Sequence, residues 1–262
     1  MDVKTAFLKA KMDKKVYIKL PLGAELVEAD DVRLISMALY GTKQAGRLWG
    51  IKINKELNAI EEVRSKADTC LYTCSHPVHG LVYNRFCVND LISAGTFLDG
   101  VQMVKTSVSA SFDVRDMVEV KSFIGMKVMR DWAATVITLR NPAHVTSLLE
   151  ALQIDKSAPN KTPLESDAKL GNTGENLLPE GNRYAKLVGE LLYLSATTRP
   201  ETIAVGLLSR YNSCPKKDHM RAAQRILRYL RGAMRLGVVY GKEKPLQEYV
   251  DADWAGDIDA RR

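Results

Sequence analysis

The chain has 262 residues, 46% of them hydrophobic, enough for one large or two modest domains around a packed core. With Gly 17 and Pro 9, collagen-like and low-complexity architectures are excluded, and no apolar run approaches the ~20 residues a membrane helix needs. Lys+Arg 38 against Asp+Glu 31 leaves a net charge of +7, which suits a polyanionic partner without requiring one.

The N-terminal stretch lacks the basic, apolar, small-residue order of a signal peptide. Val16-Tyr17-Ile18 reads as a short extended piece closed by Pro21 and Gly23. Trp49, Ile53, Leu57 and Ile60 then recur at helical spacing, which predicts an amphipathic helix over about Thr42–Ile60. Leu71–Thr73 and Gly80–Cys87 read as strands joined by a turn around Pro77, and Asp90 opens a further strand that stops at Gly95. A helix over Leu98–Ala110 and a hairpin of Lys121–Met129 with Thr135–Arg140 follow. This mixture predicts an α+β layer built on an antiparallel sheet. After Pro142 the pattern turns helical: His144–Leu152, Tyr184–Ala196, Glu201–Tyr211 and Lys216–Met234 are predicted helices. Asp155–Asn182, with Pro159, Pro163 and Pro179, reads as an exposed linker, and a last strand is expected from Leu246.

The helix after Lys216 has a sharp charge geometry. At about 100° per residue, Lys217, Arg221, Arg225, Arg228, Arg231 and Arg235 fall within an arc of about 120°, opposite Ala223, Ile226, Leu227, Leu230 and Met234. Two readings stay open: a solvated face over a core stripe, or a helix laid against a phosphate backbone.

Two carboxylates sit at strand starts. Asp2 precedes Val3, and Asp90 follows Cys87-Val88-Asn89. If their strands are neighbours, the pair lies at one sheet rim, where a hard ion such as Mg²⁺ takes one or two carboxylates plus substrate phosphates. Asp251 and Asp253 would share a strand face near the C-terminus. Cys70, Cys74, His76 and His79 have the wrong spacing for a zinc knuckle. Four cysteines in a chain of this length make no disulfide scaffold and point to a reducing compartment. Trp49 and Trp132 are expected to be packing residues, and no phosphate-cradling glycine loop is present.

Collinear blocks carry a resemblance. Asp2–Leu8 (DVKTAFL), Leu39–Trp49 (LYGTKQAGRLW), Cys87–Asp90 (CVND), Phe123–Lys127 (FIGMK), Tyr184–Pro200 (YAKLVGELLYLSATTRP), Arg225–Gly232 (RILRYLRG) and Tyr249–Asp257 (YVDADWAGD) occur in the order of copia-type retrotransposon reverse transcriptases, which the chain resembles over nearly its whole length. The resemblance implies a polymerase palm at 1–140, a helical thumb and connection at 141–240, and the start of an RNase H-like domain at 241–262. It implies Asp2 and Asp90 as metal-binding catalytic residues and Asn89 in the catalytic hairpin. Asp251 would be the first RNase H carboxylate. Phe7 looks like the gate beneath the incoming sugar, and Gln44 with Lys43 looks like the nucleotide contact. Phe123–Met126 resembles the hairpin that positions the primer end. Implied partners are an RNA template, a DNA primer and deoxynucleoside triphosphates, with Mg²⁺ as cofactor and a cytoplasmic or nuclear location.

The departures are as telling. The family's hairpin usually reads Tyr-Val-Asp-Asp, so Asn89 stands where a metal-binding aspartate belongs. An amide cannot offset the charge of two Mg²⁺ ions and a triphosphate, and losing a metal-binding carboxylate is expected to cost about 10³-fold or more in rate. Gly46 replaces a common Pro, and Glu201 a common Asp. The fingers upstream of Asp2 and the remaining RNase H carboxylates are expected to be missing. The expectation is a degenerate or truncated element product. The alternatives are a non-catalytic nucleic-acid-binding module, an active enzyme within a longer polyprotein, and a remnant without a role.

Overall fold

Along Gly80–Cys87, Val82, Asn84 and Phe86 are buried while Leu81, Tyr83 and Arg85 are exposed, the alternation of a strand with one covered face. It lies inside the principal sheet of the computed structural model, which describes residues 1–20, 32–165, 168, 170–175, 181–199, 202 and 204–241. The chain divides into two compact units, Met1–Val120 and Lys121–Arg262.

The first unit contains β1 (Asp2–Val3), β2 (Tyr17–Lys19), β3 (Val32–Leu34), α1 (Ala45–Asn58), β4 (Val63–Arg64), β5 (Leu71–His76), β6 (Gly80–Cys87), β7 (Asp90–Gly95), α2 (Leu98–Ser111) and β8 (Val114–Arg115). Six strands form an antiparallel sheet in the order β4-β5-β6-β7-β1-β8, while β2 and β3 pair as a separate ribbon. One sheet face is covered by α1 and α2 through Trp49, Ile53, Leu57, Val104 and Val108, packed on Val3, Val82, Phe86 and Leu91. Gly100 lets α2 lie close: a Cβ there would stand 2.7 Å from His79 O and 2.8 Å from Val82 Cγ2. Asp2 and Asp90 precede the buried Val3 and Leu91, so a period of two puts both carboxylates on the opposite, open face.

The second unit contains β9 (Ser122–Phe123), β10 (Met126–Asp131), β11 (Val136–Arg140), α3 (Pro142–Ala151), α4 (Gly181–Thr197), α5 (Ala204–Ser209), α6 (Lys217–Gly232) and β12 (Val238–Tyr240). Its sheet runs β12-β11-β10-β9, and its core joins the apolar faces of α3 to α6, with Tyr184, Leu191, Leu194, Leu208, Ile226 and Leu227 fully buried.

The expected mixed α+β class is observed, with several antiparallel sheets and helices. Three expectations change. Within 155–182, described residues pack rather than trail: Leu164 and Leu170 lie against the helical core, Glu165 pairs with Arg225, and Gly171 O meets His219 Nε2 at 3.0 Å. Their anchors are long-range, so local composition reads only as a linker. Trp132 is not a packing residue: it is 64% exposed, and the Arg130 guanidinium lies 3.5 Å above its ring. The predicted helix over Glu201–Tyr211 shortens to α5. The strand expected from Leu246, with Asp251 and Asp253, lies outside the described residues. Among the described residues, no helix is long and apolar enough to cross a membrane.

Candidate active site

The site is built from two strands and a two-residue turn. Cys87 and Asp90 pair across the β6–β7 hairpin, leaving only Val88 and Asn89 in the loop. Val88 has φ 57, an uncommon conformation for a β-branched residue. Trp49, projecting from α1, donates its Nε1 hydrogen to Val88 O at 2.6 Å and so ties the turn to the core. Val3 N donates to Asn89 O and Leu91 N to Met1 O, each at 2.8 Å. These bonds bracket Asp2 and Asp90, which are direct register partners and form a non-hydrogen-bonded pair, the kind whose side chains approach most closely.

Like charges facing each other across strands are unfavourable, so the pair needs compensation. The turn supplies it: Asn89 Nδ2 donates to Asp2 Oδ1 at 2.5 Å. A carboxylate can only accept, so the amide must present its nitrogen. On the other flank of Asp2, the register partner is Arg115 of β8, a cation on the same face. The site thus holds two carboxylates, one neutral amide and one neighbouring guanidinium.

These donors were tested against the Mg²⁺ centre that the resemblance implies. Asp2 and Asp90 can offer hard oxygens to one ion, but the amide hydrogen bond already occupies Asp2 Oδ1. Among the described residues, no three His, Cys, Asp or Glu side chains gather where they could hold a metal. The set does not fit a two-ion centre.

The other candidates fall around this rim and elsewhere. Phe7 sits half-buried on a 3₁₀ turn (Ala6–Lys9) directly after β1, its ring centroid 4.5 Å from that of Tyr40. Gln44 is the residue before α1, its side chain making no capping bond, and Lys43 beside it is exposed. On α6 the expected basic face is partly committed within the chain: Lys217 pairs with Glu175, Arg221 with Asp218 at 2.9 Å, and Arg225 with Glu165 at 2.8 Å. The helix expected to reach Met234 ends at Gly232, so Arg235 lies beyond the basic face; it and the α6 residues Arg228 and Arg231 form no ion pair among the described residues. Cys74 is buried, and burial together with nearby Glu62 pushes its thiol up; His76 Nδ1 accepts from the backbone N–H groups of Val78 and His79. Sequence reasoning placed Trp49 only in the core and did not single out Arg115, because a two-residue strand such as β8 leaves no periodic trace.

The family described as reverse transcriptase (RNA-dependent DNA polymerase) matches residues 1–166. The Pol polyprotein of transposon TNT 1-94 from Nicotiana tabacum is 31% identical over the whole of this chain, and that of transposon RE1 from Arabidopsis thaliana is 32% identical over 99% of it. The transposon Ty5-1 protein of Saccharomyces cerevisiae is 31% identical over 96% of this chain and 82% of its own length. The chain spans about a fifth of the plant polyproteins, 20% and 18% of their lengths. No solved structure matches it. With the Asp2 strand and the Asn89-Asp90 hairpin side by side in an antiparallel sheet, and with these relatives matching from end to end, the chain belongs to the reverse transcriptase family of copia-type retrotransposon Pol polyproteins.

Proposed function

We propose that this chain is a copia-type reverse transcriptase segment that holds nucleic acid but no longer extends a primer. In this reading residues 1–140 correspond to the palm, 141–240 to thumb and connection, and 241–262 to the opening of an RNase H-like domain. The ligands are an RNA template and a DNA primer, and the ancestral cofactor is Mg²⁺. The observation that carries the reading is the hydrogen bond from Asn89 Nδ2 to Asp2 Oδ1. Where the family has a third carboxylate, this chain places a neutral donor that satisfies Asp2 without a cation. Phosphoryl transfer depends on offsetting developing negative charge at fixed positions, and the site has lost one of the groups that organise that offset.

A second reading, active nucleotidyl transfer within a longer polyprotein, is favoured by the direct register of Asp2 with Asp90. One experiment separates them. The chain is mixed with a primed RNA template and Mg²⁺, and both binding and extension are followed. Salt-dependent binding without extension is expected. Mg²⁺-dependent DNA synthesis that disappears in Asp2→Ala would overturn the loss of activity. Asn89→Asp is expected to be less stable than the parent without metal, because three carboxylates then converge, and to gain a Mg²⁺-dependent rise in Tm that the parent lacks.

A further inference from the structure

The β9–β10 hairpin closes on Ile124 and Gly125, with φ 47 and 76, both positive as a type I′ turn requires. Gly suits this region; a β-branched Ile resists it. The turn is therefore strained and needs an external hold. Tyr193, on α4, provides one: its hydroxyl donates to Ile124 O at 2.5 Å. Tyr193 Oη in turn accepts from Asn141 Nδ2 at 3.3 Å. Asn141 is buried, and its Oδ1 accepts from His144 N at 3.2 Å, capping α3. The His144 ring stands edge-on to Tyr193 with centroids 5.2 Å apart. A Cβ on Gly125 would lie 2.9 Å from Tyr193 Oη, so the hydroxyl sits directly on the turn.

The hairpin that is held this way has an unusual charge arrangement. Lys127 of β10 faces Arg140 of β11 in direct register, with Ser122 on the other side of Lys127. Neither cation forms an ion pair among the described residues. Two cations facing each other across strands repel, and an anion bridging them relieves that repulsion. A phosphodiester fits, since it is a singly charged tetrahedral anion that repeats along a strand.

We propose that Tyr193 is a positioning residue: through Ile124 O it fixes the Phe123–Met126 turn, and with it the Lys127–Arg140 pair, in the form that grips a nucleic-acid backbone. This rests on reading the chain as a nucleic-acid binder, and goes beyond it by naming the phosphate contacts and the side chain that sets them. Tyr193→Phe removes only the hydroxyl. In the full chain it is expected to stay within about 4 °C of the parental Tm, as the loss of one partly exposed hydrogen bond implies. Amide exchange at Gly125 and Met126 is expected to speed up in the free protein, and Kd for a primed RNA template to rise about threefold to tenfold. Lys127→Ala is expected to lower the slope of log affinity against log salt by about one. Gly125→Ala, which displaces the turn while keeping the hydroxyl, is expected to weaken binding similarly.

Unchanged exchange and unchanged Kd in Tyr193→Phe would overturn the proposal, as would an unchanged salt slope in Lys127→Ala. A parent chain that fails to bind at low salt would instead sink the underlying reading and the phosphate contacts with it. In that event the exchange measurement alone decides whether Tyr193 holds the turn.

Discussion

Glu62 shows how a single proton can be built into the fold. Glu61 adopts φ 61 after α1, and Glu62 N bonds back to Leu57 O at 3.1 Å, a helix ending that turns the next carboxyl inward. Glu62 is 2% exposed, and its Oε1 accepts from Asn84 Nδ2 at 2.6 Å. Among the described residues Glu62 Oε2 and Asn84 Oδ1 have no partner, and a proton on Oε2 satisfies both by closing an acid–amide pair. Burial pushes the Glu62 carboxyl up to about 7 from its ordinary 4.5, with the Asn84 hydrogen bond opposing in part. The folded chain therefore holds this proton more tightly than the unfolded one. The stability it contributes is fully present below pH 4.5 and is lost as pH rises through 7, by about 3 kcal/mol in all. Glu62→Gln keeps both hydrogen bonds without the proton. Urea denaturation between pH 5 and 8 is expected to show a falling stability in the parent and a flatter profile in the variant. Parallel profiles would remove Glu62 as the cause.

Among the elements, α6 separates pattern from use most clearly. Its apolar stripe is buried as the period predicts, with Ala223, Ile226, Leu227 and Leu230 at 0% exposure. Its basic stripe divides: the first half is drawn to Glu175, Asp218 and Glu165, while Arg228 and Arg231 are half-buried cations outside any ion pair among the described residues. Exposed ion pairs such as Arg221–Asp218 contribute little to stability, yet they lower the local positive potential that a polyanion meets. If α6 contacts phosphates, Arg228→Ala with Arg231→Ala is expected to reduce the salt slope of RNA binding by about two, and Arg221→Ala to leave it nearly unchanged. Anisotropy titrations at several KCl concentrations measure this, and an equal effect of all three would exclude the division. His219 lies in the first turn of α6. In the structure it is 1% exposed, accepts Lys216 N at Nδ1, and stacks on Tyr211 with centroids 3.9 Å apart, a structural cap rather than a base.

On the scale of the whole molecule, the site depends on contacts between distant parts of the chain. Asn89 and Asp2 are 87 positions apart, and β1 reaches Asp90 only because it inserts between β7 and β8. The Trp49 bond to Val88 O joins this rim to the core beneath, so Trp49→Phe is expected to cost about 1 kcal/mol and to speed amide exchange at Val3 and Leu91. Equal exchange in both proteins would show that the turn holds itself. Much of the architecture is written in local sequence. The spacing of Trp49, Ile53 and Leu57 locates α1, the strand-like run Gly80–Cys87 after the turn around Pro77 locates β6, and the motif order points to the family. These signals are legible because helix and strand periods, and a residue's chemical type, are local properties of the chain. The short strands β3, β4, β8 and β12, the packing of Leu164 and Leu170 on the helical core, the hold of Tyr193 on Ile124 and the pairing of Glu62 with Asn84 left no such trace. Each is fixed by a partner far away in sequence, and only the folded backbone brings those partners within hydrogen-bonding reach.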